Sequence, residues 1–475
     1  MTPACLGPCS LEISTKFLVE RKEPGLGSRV EKGDDVNVAT LVATVFHHEL
    51  PFRVEAYDGS VALPTIESSA NTLTLKILNR EALTRIVTHP GELGVARAYV
   101  AGDVEVDGDL DLLFEVTPPT LRQALTPEVI ATLLSTVGAR GLKPPAPPSI
   151  EARPRGLRHS RARDRQAVTH HYDVSNRFYE MVLGPSMTYS CAVFNTPEDT
   201  LEEAQLRKVD LVARKLDLQP GDRLLDIGCG WGTMAINAAQ RYRARVVGVT
   251  LSQPQQRYAT ERARLAGVDD LVEFRVQDFR DIPDAPFDAI SSIGMAEHVG
   301  RRSLPRYTQV IWDLLAPGGR FLNHAIARPV TYDDDPQPTY TSELIRQLQI
   351  AVGARGPSKN RSAFVERYVF PDGELHEVGA LVSMFQAHGF EVRHLESLRE
   401  HYGITLRRWV DNLVKRFDEA IDEVGAERAR AWRLYMTGSA VGFERHKLEI
   451  HQVLSVRPNH GASRFPLRSH FEPDF

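Results

Sequence analysis

The stretch 224-LLDIGCGWG-232 constrains the fold of this chain more than any other. An apolar strand-like run ends at Asp226, glycines follow at 228, 230 and 232, and the helical segment "TMAINAA" begins at Thr233. Glycine lets the backbone turn sharply there and lets a ligand approach without interference from a Cβ. A strand, a glycine turn and a helix in succession open a doubly wound α/β sheet, whose ligands sit beyond the carboxyl ends of the strands. Downstream, "ARVVGVTL", "VEFRVQD", "FDAISSIGM", "GGRFLNHAI" and "EVRHLESL" alternate with helical segments. That pattern predicts a Rossmann-like, seven-stranded, mostly parallel sheet with helices on both faces. The last run, "KLEIHQVLSV", closes the domain and is expected to return antiparallel as an edge strand.

The spacing G-x-G-x-G differs from the G-x-G-x-x-G of dinucleotide-binding turns, which argues against a nicotinamide enzyme. At 475 residues the chain has room for two or three domains. Residues 1–50 give no readable pattern. Residues 51–140 hold short alternating runs such as "FRVEAYDGSVAL" and "TLTLKIL", and predict a small mixed α+β domain. Residues 141–165, rich first in proline and then in arginine, read as a linker. Residues 166–475 form the α/β domain. Within it, the spacing from about 327 to 389 is too long for one crossover and predicts an insertion over the carboxyl ends of the strands.

Lysine and arginine number 57 against 62 aspartates and glutamates, so the molecule as a whole is not built to bind nucleic acid. The arginines at 153, 155, 158, 161, 163 and 165 are the exception; they read as a solvated linker or as a contact for an anionic surface. Four cysteines (Cys5, Cys9, Cys191 and Cys229) make no disulfide framework, and no metal site is expected. No apolar run reaches the ~18 residues of a membrane span, and the first residues lack the apolar core of a secretory signal. The expectation is a cytoplasmic protein, at most lying against the inner face of the membrane.

Several segments together carry a family resemblance: "HHYDVSNRFYEMVLGPSMTYSCAVF" (170–194), the glycine loop, "VVGVTLSQPQQ", "QDFRDI", "GMAEHVG", "FLNHAIA", "ERYVFPDGEL" and "REHYGITLRRW". From about His170 to Val456 the chain resembles the cyclopropane-fatty-acyl-phospholipid synthases, relatives of the mycolic acid cyclopropane synthases. The loop itself resembles that of class I S-adenosylmethionine-dependent methyltransferases. The resemblance weakens over 72–116 and is absent from the first 50 residues.

What the resemblance implies is methyl transfer from S-adenosylmethionine to the cis double bond of an unsaturated acyl chain in a phospholipid at the membrane surface. Ring closure then requires that a proton be lost, and the family's base is a bound bicarbonate. Carried over by motif position, its cage would be Cys191, Glu297, His324 and Tyr402, completed by backbone groups at Cys191 and Ile326. The cofactor would be covered by Tyr172, Tyr189 and Ser190 and lined by Asp226, Gly228, Gly230, Gly232, Thr250, Gln255, Asp278 and Phe279. Thr250 departs from the carboxylate that usually ends the second strand and binds the ribose. On this reading Cys191 is wall and cage rather than nucleophile, because a buried thiol stays protonated.

Taken singly, Cys191, His324 and Tyr402 also fit ordinary core positions. The same residues suit a related branch that loses the proton without closing the ring, giving methylene- or methyl-branched chains. A methyltransferase for a small nitrogen or oxygen nucleophile is a further alternative, with His298 or His324 as base. A homodimer is compatible with the sequence, which does not specify the assembly.

Overall fold

The computed structural model describes residues 37–114 apart from 90, and residues 116, 143–152, 156–172, 174–329, 362–469 and 471. Cys5, Cys9, Arg153, Arg155 and most of the expected insertion (330–361) therefore lie outside the described residues.

The N-terminal region folds around a four-stranded sheet in the order β2-β1-β3-β4, with β1 Arg53–Ala56, β2 Val61–Ala62, β3 Thr74–Ile77 and β4 Val104–Asp107. Helices α1 (Val38–Val45), α2 (Arg80–Thr88) and α3 (Glu92–Ala101) accompany it. Val38, Leu41, Phe52, Val54, Leu73 and Leu83 share one core, so α1 belongs to this region although the sequence left it unassigned. α3 is held to the rest of the chain by a buried ionic cluster. Arg97 gives two hydrogen bonds to Glu151, at 2.8 and 2.6 Å, and Arg367 adds one at 2.7 Å. Burial alone would raise the Glu151 carboxyl; the bonds from Arg97 and Arg367 outweigh it and hold it down to about 2.

The larger sheet has seven strands in the order β10-β11-β9-β8-β5-β6-β7. They are β5 Arg223–Ile227, β6 Arg245–Thr250, β7 Val272–Val276, β8 Phe287–Ile293, β9 Leu315–Ala327, β10 Glu391–Ser397 and β11 Glu449–Val456. Successive side chains on a strand point to opposite faces. Leu224 accordingly joins a core with Val246, Phe274 and Leu322, while Leu225 joins the opposite one with Ile290, Phe321 and Val453. Burial on both faces is why these strands read as continuous apolar runs.

β11 runs antiparallel, but it is not an edge: it pairs with β9 on one side and β10 on the other. Seven of its eight residues are buried, so the strand needs a partner on each side. The edge position was expected because this run closes the domain, and β10, which precedes it in the chain, takes the edge instead.

The chain enters this sheet through helices α4 (Arg161–Tyr172), α5 (Asn176–Leu183) and α6 (Leu201–Leu216). Between the strands lie α7 (Thr233–Tyr242), α8 (Gln253–Leu265), α9 (Ala296–Val299), α10 (Leu304–Leu314), α11 (Ala363–Tyr368) and α12 (Val378–Ala387). Before β11 come α13 (Arg399–Lys415), α14 (Phe417–Val424) and α15 (Ala426–Glu444). α5, α13 and α15 build a third core, rich in aromatic residues, with Phe178, Tyr179, Tyr402, Trp409 and Trp432. No helix among the described residues is long and apolar enough to cross a membrane.

Candidate active site

Chain direction reverses across the sheet at β5, the strand between β6 on one side and β8 on the other, which is where a ligand crevice forms in a doubly wound sheet. The segments following β5, β6, β7 and β8 line a cavity of about 240 Å³. One water occupies ~30 Å³ in the liquid, so this is no packing defect.

The glycine loop forms its floor. Gly228 and Gly230 have φ of 79° and 54°. A Cβ on Gly230 would meet nothing within 4 Å, so the loop is open toward the cavity there. Gly232 plays a different part from the one the resemblance gave it. It caps α7 at φ 85°, and its α-carbon faces Phe274 and Ala259 rather than the cavity.

Asp226, the last residue but one of β5, is nearly fully buried, and its Oδ1 accepts from Ser291 Oγ at 2.7 Å. Burial lifts its carboxyl to about 6. At the end of β6, Thr250 Oγ1 donates to Gln255 Oε1 at 2.8 Å. That leaves the Gln255 amide nitrogen as a donor on a residue that lines the cavity. After β7, Asp278 and Phe279 line the cavity, but both Asp278 oxygens already accept from Arg280, at 2.8 and 2.6 Å. Tyr172, Tyr189 and Ser190 line the cavity from the N-terminal side.

α4 lies over this opening, contributing Ala167, Val168 and Tyr172 to the lining. Ion pairs fasten it there. Arg161 grips Asp281 with two bonds at 2.7 and 2.8 Å, Arg163 bonds Asp372 at 2.7 Å, and Arg280 reaches Asp164 at 3.1 Å. Arg158 pairs with Asp372 at 2.8 Å and with Glu366. Three of the six arginines in the basic run are thus occupied by carboxylates of this chain.

Beside the cavity the aromatic core continues, and polar groups are buried against it. Glu297 opens α9 just past β8, and its Oε1 accepts the Ile326 N–H at 2.7 Å. Its Oε2 is buried with no partner among the described residues. Burial raises the carboxyl to about 7. His324, two residues before Ile326 and so on the same face of β9, buries both ring nitrogens without a partner among the described residues. Burial depresses its basicity, so the imidazole is neutral.

Tyr402 and Cys191 belong to the same aromatic core, and Tyr402 lies within electrostatic reach of both Cys191 and Glu297. Cys191 Sγ sits 3.2 Å from the Ala192 carbonyl and 3.6 Å from that of Leu398. Cys191 and Tyr402 share that core, Ile326 packs against it, and Glu297 adjoins it through the Ile326 N–H. His324 feels the charge of Lys208, as Cys191 does, and also that of Lys215 and His451. The Ile326 N–H is given to Glu297, not left free for a guest.

Burial also pushes the Cys191 thiol far above its ordinary range. Iodoacetamide at about pH 8 is therefore expected to leave Cys191 unmodified in the folded protein and to alkylate it after unfolding. Peptide mass mapping reads this directly, and modification in the native state would contradict the burial of Cys191.

The sequence reading missed Lys208, Trp231, Arg280 and Tyr307, which line the cavity, and Tyr435, which neighbours Tyr189. For Lys208 a signal existed. It falls at helical spacing among Ala204, Leu211, Val212 and Lys215, on the buried face of α6, where a lysine is out of place.

Residues 159–453 match the family model described as mycolic acid cyclopropane synthetase. Over 435 residues (89% of this chain and 95% of the other) the sequence is 42% identical to a probable fatty acid methyltransferase of Mycobacterium tuberculosis. It is 30% identical to the cyclopropane-fatty-acyl-phospholipid synthase of Escherichia coli over 385 residues, 81% of this chain and 87% of that one. Among solved structures, mycolic acid cyclopropane synthase CmaA1 complexed with SAH and CTAB aligns with a TM-score of 0.54 at 30% identity, covering 61% of this chain and 97% of that one.

Proposed function

This chain belongs to the mycolic acid cyclopropane synthetase family, and from that premise we propose that it methylates the cis double bond of an unsaturated phospholipid acyl chain and closes a cyclopropane ring. At the coarser level it is an S-adenosylmethionine-dependent methyltransferase of fatty acids or lipids.

The cofactor supplies an electrophilic methyl carried on a sulfonium. Its zwitterionic end suits Asp226 and Ser190, and the polar side chains Thr250 and Gln255 suit a ribose; all four line the cavity. An alkene is a feeble nucleophile, so the protein's task is to hold it in line with the methyl, close by and away from water. The aromatic cluster beside the cavity suits that need. The Tyr189 and Trp409 ring centroids lie 5.2 Å apart, and those of Tyr189 and Trp432 5.7 Å. Their faces can stabilise positive charge developing on the acyl chain.

The positive charge on the chain disappears when a C–H bond of the added methyl gives up its proton and its electron pair closes the ring. The single observation that carries the reading is at this point: Glu297 Oε2 and both nitrogens of His324 are buried polar atoms without partners among the described residues, next to an aromatic core. Such atoms are rare in a folded protein and fit a small polar guest. Bicarbonate would supply a base that a methyl donor does not consume, held by Glu297, His324 and Tyr402. With its carboxyl raised to about 7, Glu297 is partly protonated near neutrality and can donate to an anion instead of repelling it. The thiol of Cys191, directed at backbone carbonyls, closes the wall.

A second reading fits the 42%-identical relative equally, since that one is described only as a probable fatty acid methyltransferase: the same methyl addition followed by proton loss without ring closure. Incubation with methyl-labelled S-adenosylmethionine and vesicles of unsaturated phospholipid tests what the two readings share. Label is expected in the acyl chains. Label in an added soluble amine with none in lipid would overturn both.

The expected location, at the inner face of the membrane, follows from this substrate. It is proposed on the chemistry of the acyl chain and not on the arginine run, since Arg158, Arg161 and Arg163 are engaged within the chain.

A further inference from the structure

We propose that the Lys208 ammonium is the counter-charge for the carboxylate at the amino-acid end of S-adenosylmethionine, and so a positioning residue for methyl transfer. This rests on the cofactor assignment above and deepens it.

Lys208 lies on α6 with 1% of its surface exposed. A buried ammonium is costly unless it is paired and hydrogen-bonded. Its one acceptor within hydrogen-bonding distance among the described residues is a neutral hydroxyl, Ser190 Oγ, at 2.9 Å. Seven residues on, Lys215 is equally buried but bonds Gln452 Oε1 at 2.6 Å and pairs with Glu396. The contrast is informative. One buried lysine of α6 is satisfied by its own chain; the other lines the cavity with donors to spare.

Asp226 lines the same cavity and forms no ion pair with Lys208 among the described residues; it accepts from Ser291 Oγ through Oδ1 only. An ammonium beside Ser190 and a carboxylate at the end of β5 thus face one space. Their charges are the complement of an α-amino acid: its carboxylate toward Lys208 and Ser190, its ammonium toward Asp226. Burial draws Lys208 down to about 8, and a bound carboxylate would restore its charge. By holding that end, Lys208 would fix how far the sulfonium projects toward Glu297 and Tyr402.

Calorimetric titration with S-adenosylmethionine and with its decarboxylated analogue tests this. The full-length wild type is expected to bind the carboxylate-bearing molecule about 30-fold more tightly, the range of a charge-assisted hydrogen bond. In Lys208→Met, and in Lys208→Gln should the first variant fail to fold by circular dichroism, that preference is expected to fall to about threefold or less, with affinity for the decarboxylated analogue little changed. A merely structural role for Lys208 would weaken both ligands alike. Equal binding of the two by the wild type, or a wild-type preference retained in either folded variant, overturns the proposal and leaves the cofactor assignment standing. Failure of the wild type to bind S-adenosylmethionine at all would overturn the assignment itself, and the proposal with it.

Discussion

Glu297→Gln is expected to bind S-adenosylmethionine within about threefold of wild type and to lose roughly 100- to 10,000-fold of its turnover on unsaturated phospholipid, the range of a lost acid–base contribution. The two side chains have the same shape. Glutamine can still present Oε1 to the Ile326 N–H, which Glu297 now holds at 2.7 Å. The residue lies outside the cofactor cavity, so binding should survive. What glutamine cannot supply is a carboxyl able to exchange a proton at Oε2. Calorimetry for the cofactor and label transfer for the lipid separate the two effects, and full activity in the variant would remove Glu297 from the chemistry.

The same variant has a pH signature in stability. The Glu297 carboxyl titrates near 4.5 when exposed and at about 7 in the fold, because burial disfavours its charge. The folded state therefore holds its proton more tightly than the unfolded chain does. Stability from this group is fully present below about pH 4.5 and is lost as pH rises toward about 7. Glu297→Gln removes that loss. Melting curves are expected to place the variant above wild type at about pH 8 and to converge with it at about pH 4. A constant offset across that range would contradict the burial described for Glu297.

Gly232→Ala carries the largest expected effect on folding. Gly232 sits at φ 85°, in the left-handed region, and a Cβ there would lie 2.6 Å from Phe274 Cζ and 3.0 Å from Ala259 Cβ. Left-handed backbone costs a non-glycine residue about 1–2 kcal/mol, and overpacking a tight core adds about 1–3 kcal/mol. A total of about 2–5 kcal/mol is therefore expected, together with weaker cofactor binding, since the strained residue anchors the loop of Gly228 and Gly230. Thermal or denaturant unfolding measures the first and calorimetry the second. Gly230→Ala is the informative contrast: its Cβ would enter open space, so binding should suffer more than folding. Wild-type stability in Gly232→Ala would contradict the packing behind the loop.

Much of the catalytic fold was legible because its signals are local. The strand–glycine–helix succession at 224–233 and the apolar runs that became β5 to β9 need no knowledge of distant contacts. One side of the cavity followed from motif positions at or just past the carboxyl ends of strands, where Asp226, Thr250 and Asp278 are found.

What stayed hidden depends on residues far apart in the chain. Arg158 and Asp372 are separated by 214 positions, yet their pairing decides that this arginine is not a free surface charge. The position of β11 one strand in from the edge follows from β10 folding outside it, which its own sequence does not encode. Lys208 was overlooked because a lysine on a helix is usually exposed; only the approach of Ser190 and Asp226 to the same cavity gives it meaning.

The reading stands on carbon–carbon bond formation to an acyl chain, with one hydrogen of the transferred methyl lost beside Glu297. Supplying S-adenosylmethionine whose methyl carries carbon-13 and three deuterium atoms, with unsaturated phospholipid vesicles, makes that visible by NMR and mass spectrometry of the extracted lipid. The expected result is labelled carbon inside the acyl chain retaining two of its deuterium atoms, as a ring carbon that survives mild hydrogenation; an alkene carbon that is hydrogenated would select the branched-chain reading. A methyl with all three deuterium atoms, bound to nitrogen or oxygen of a soluble acceptor and absent from the lipid, would contradict the reading outright.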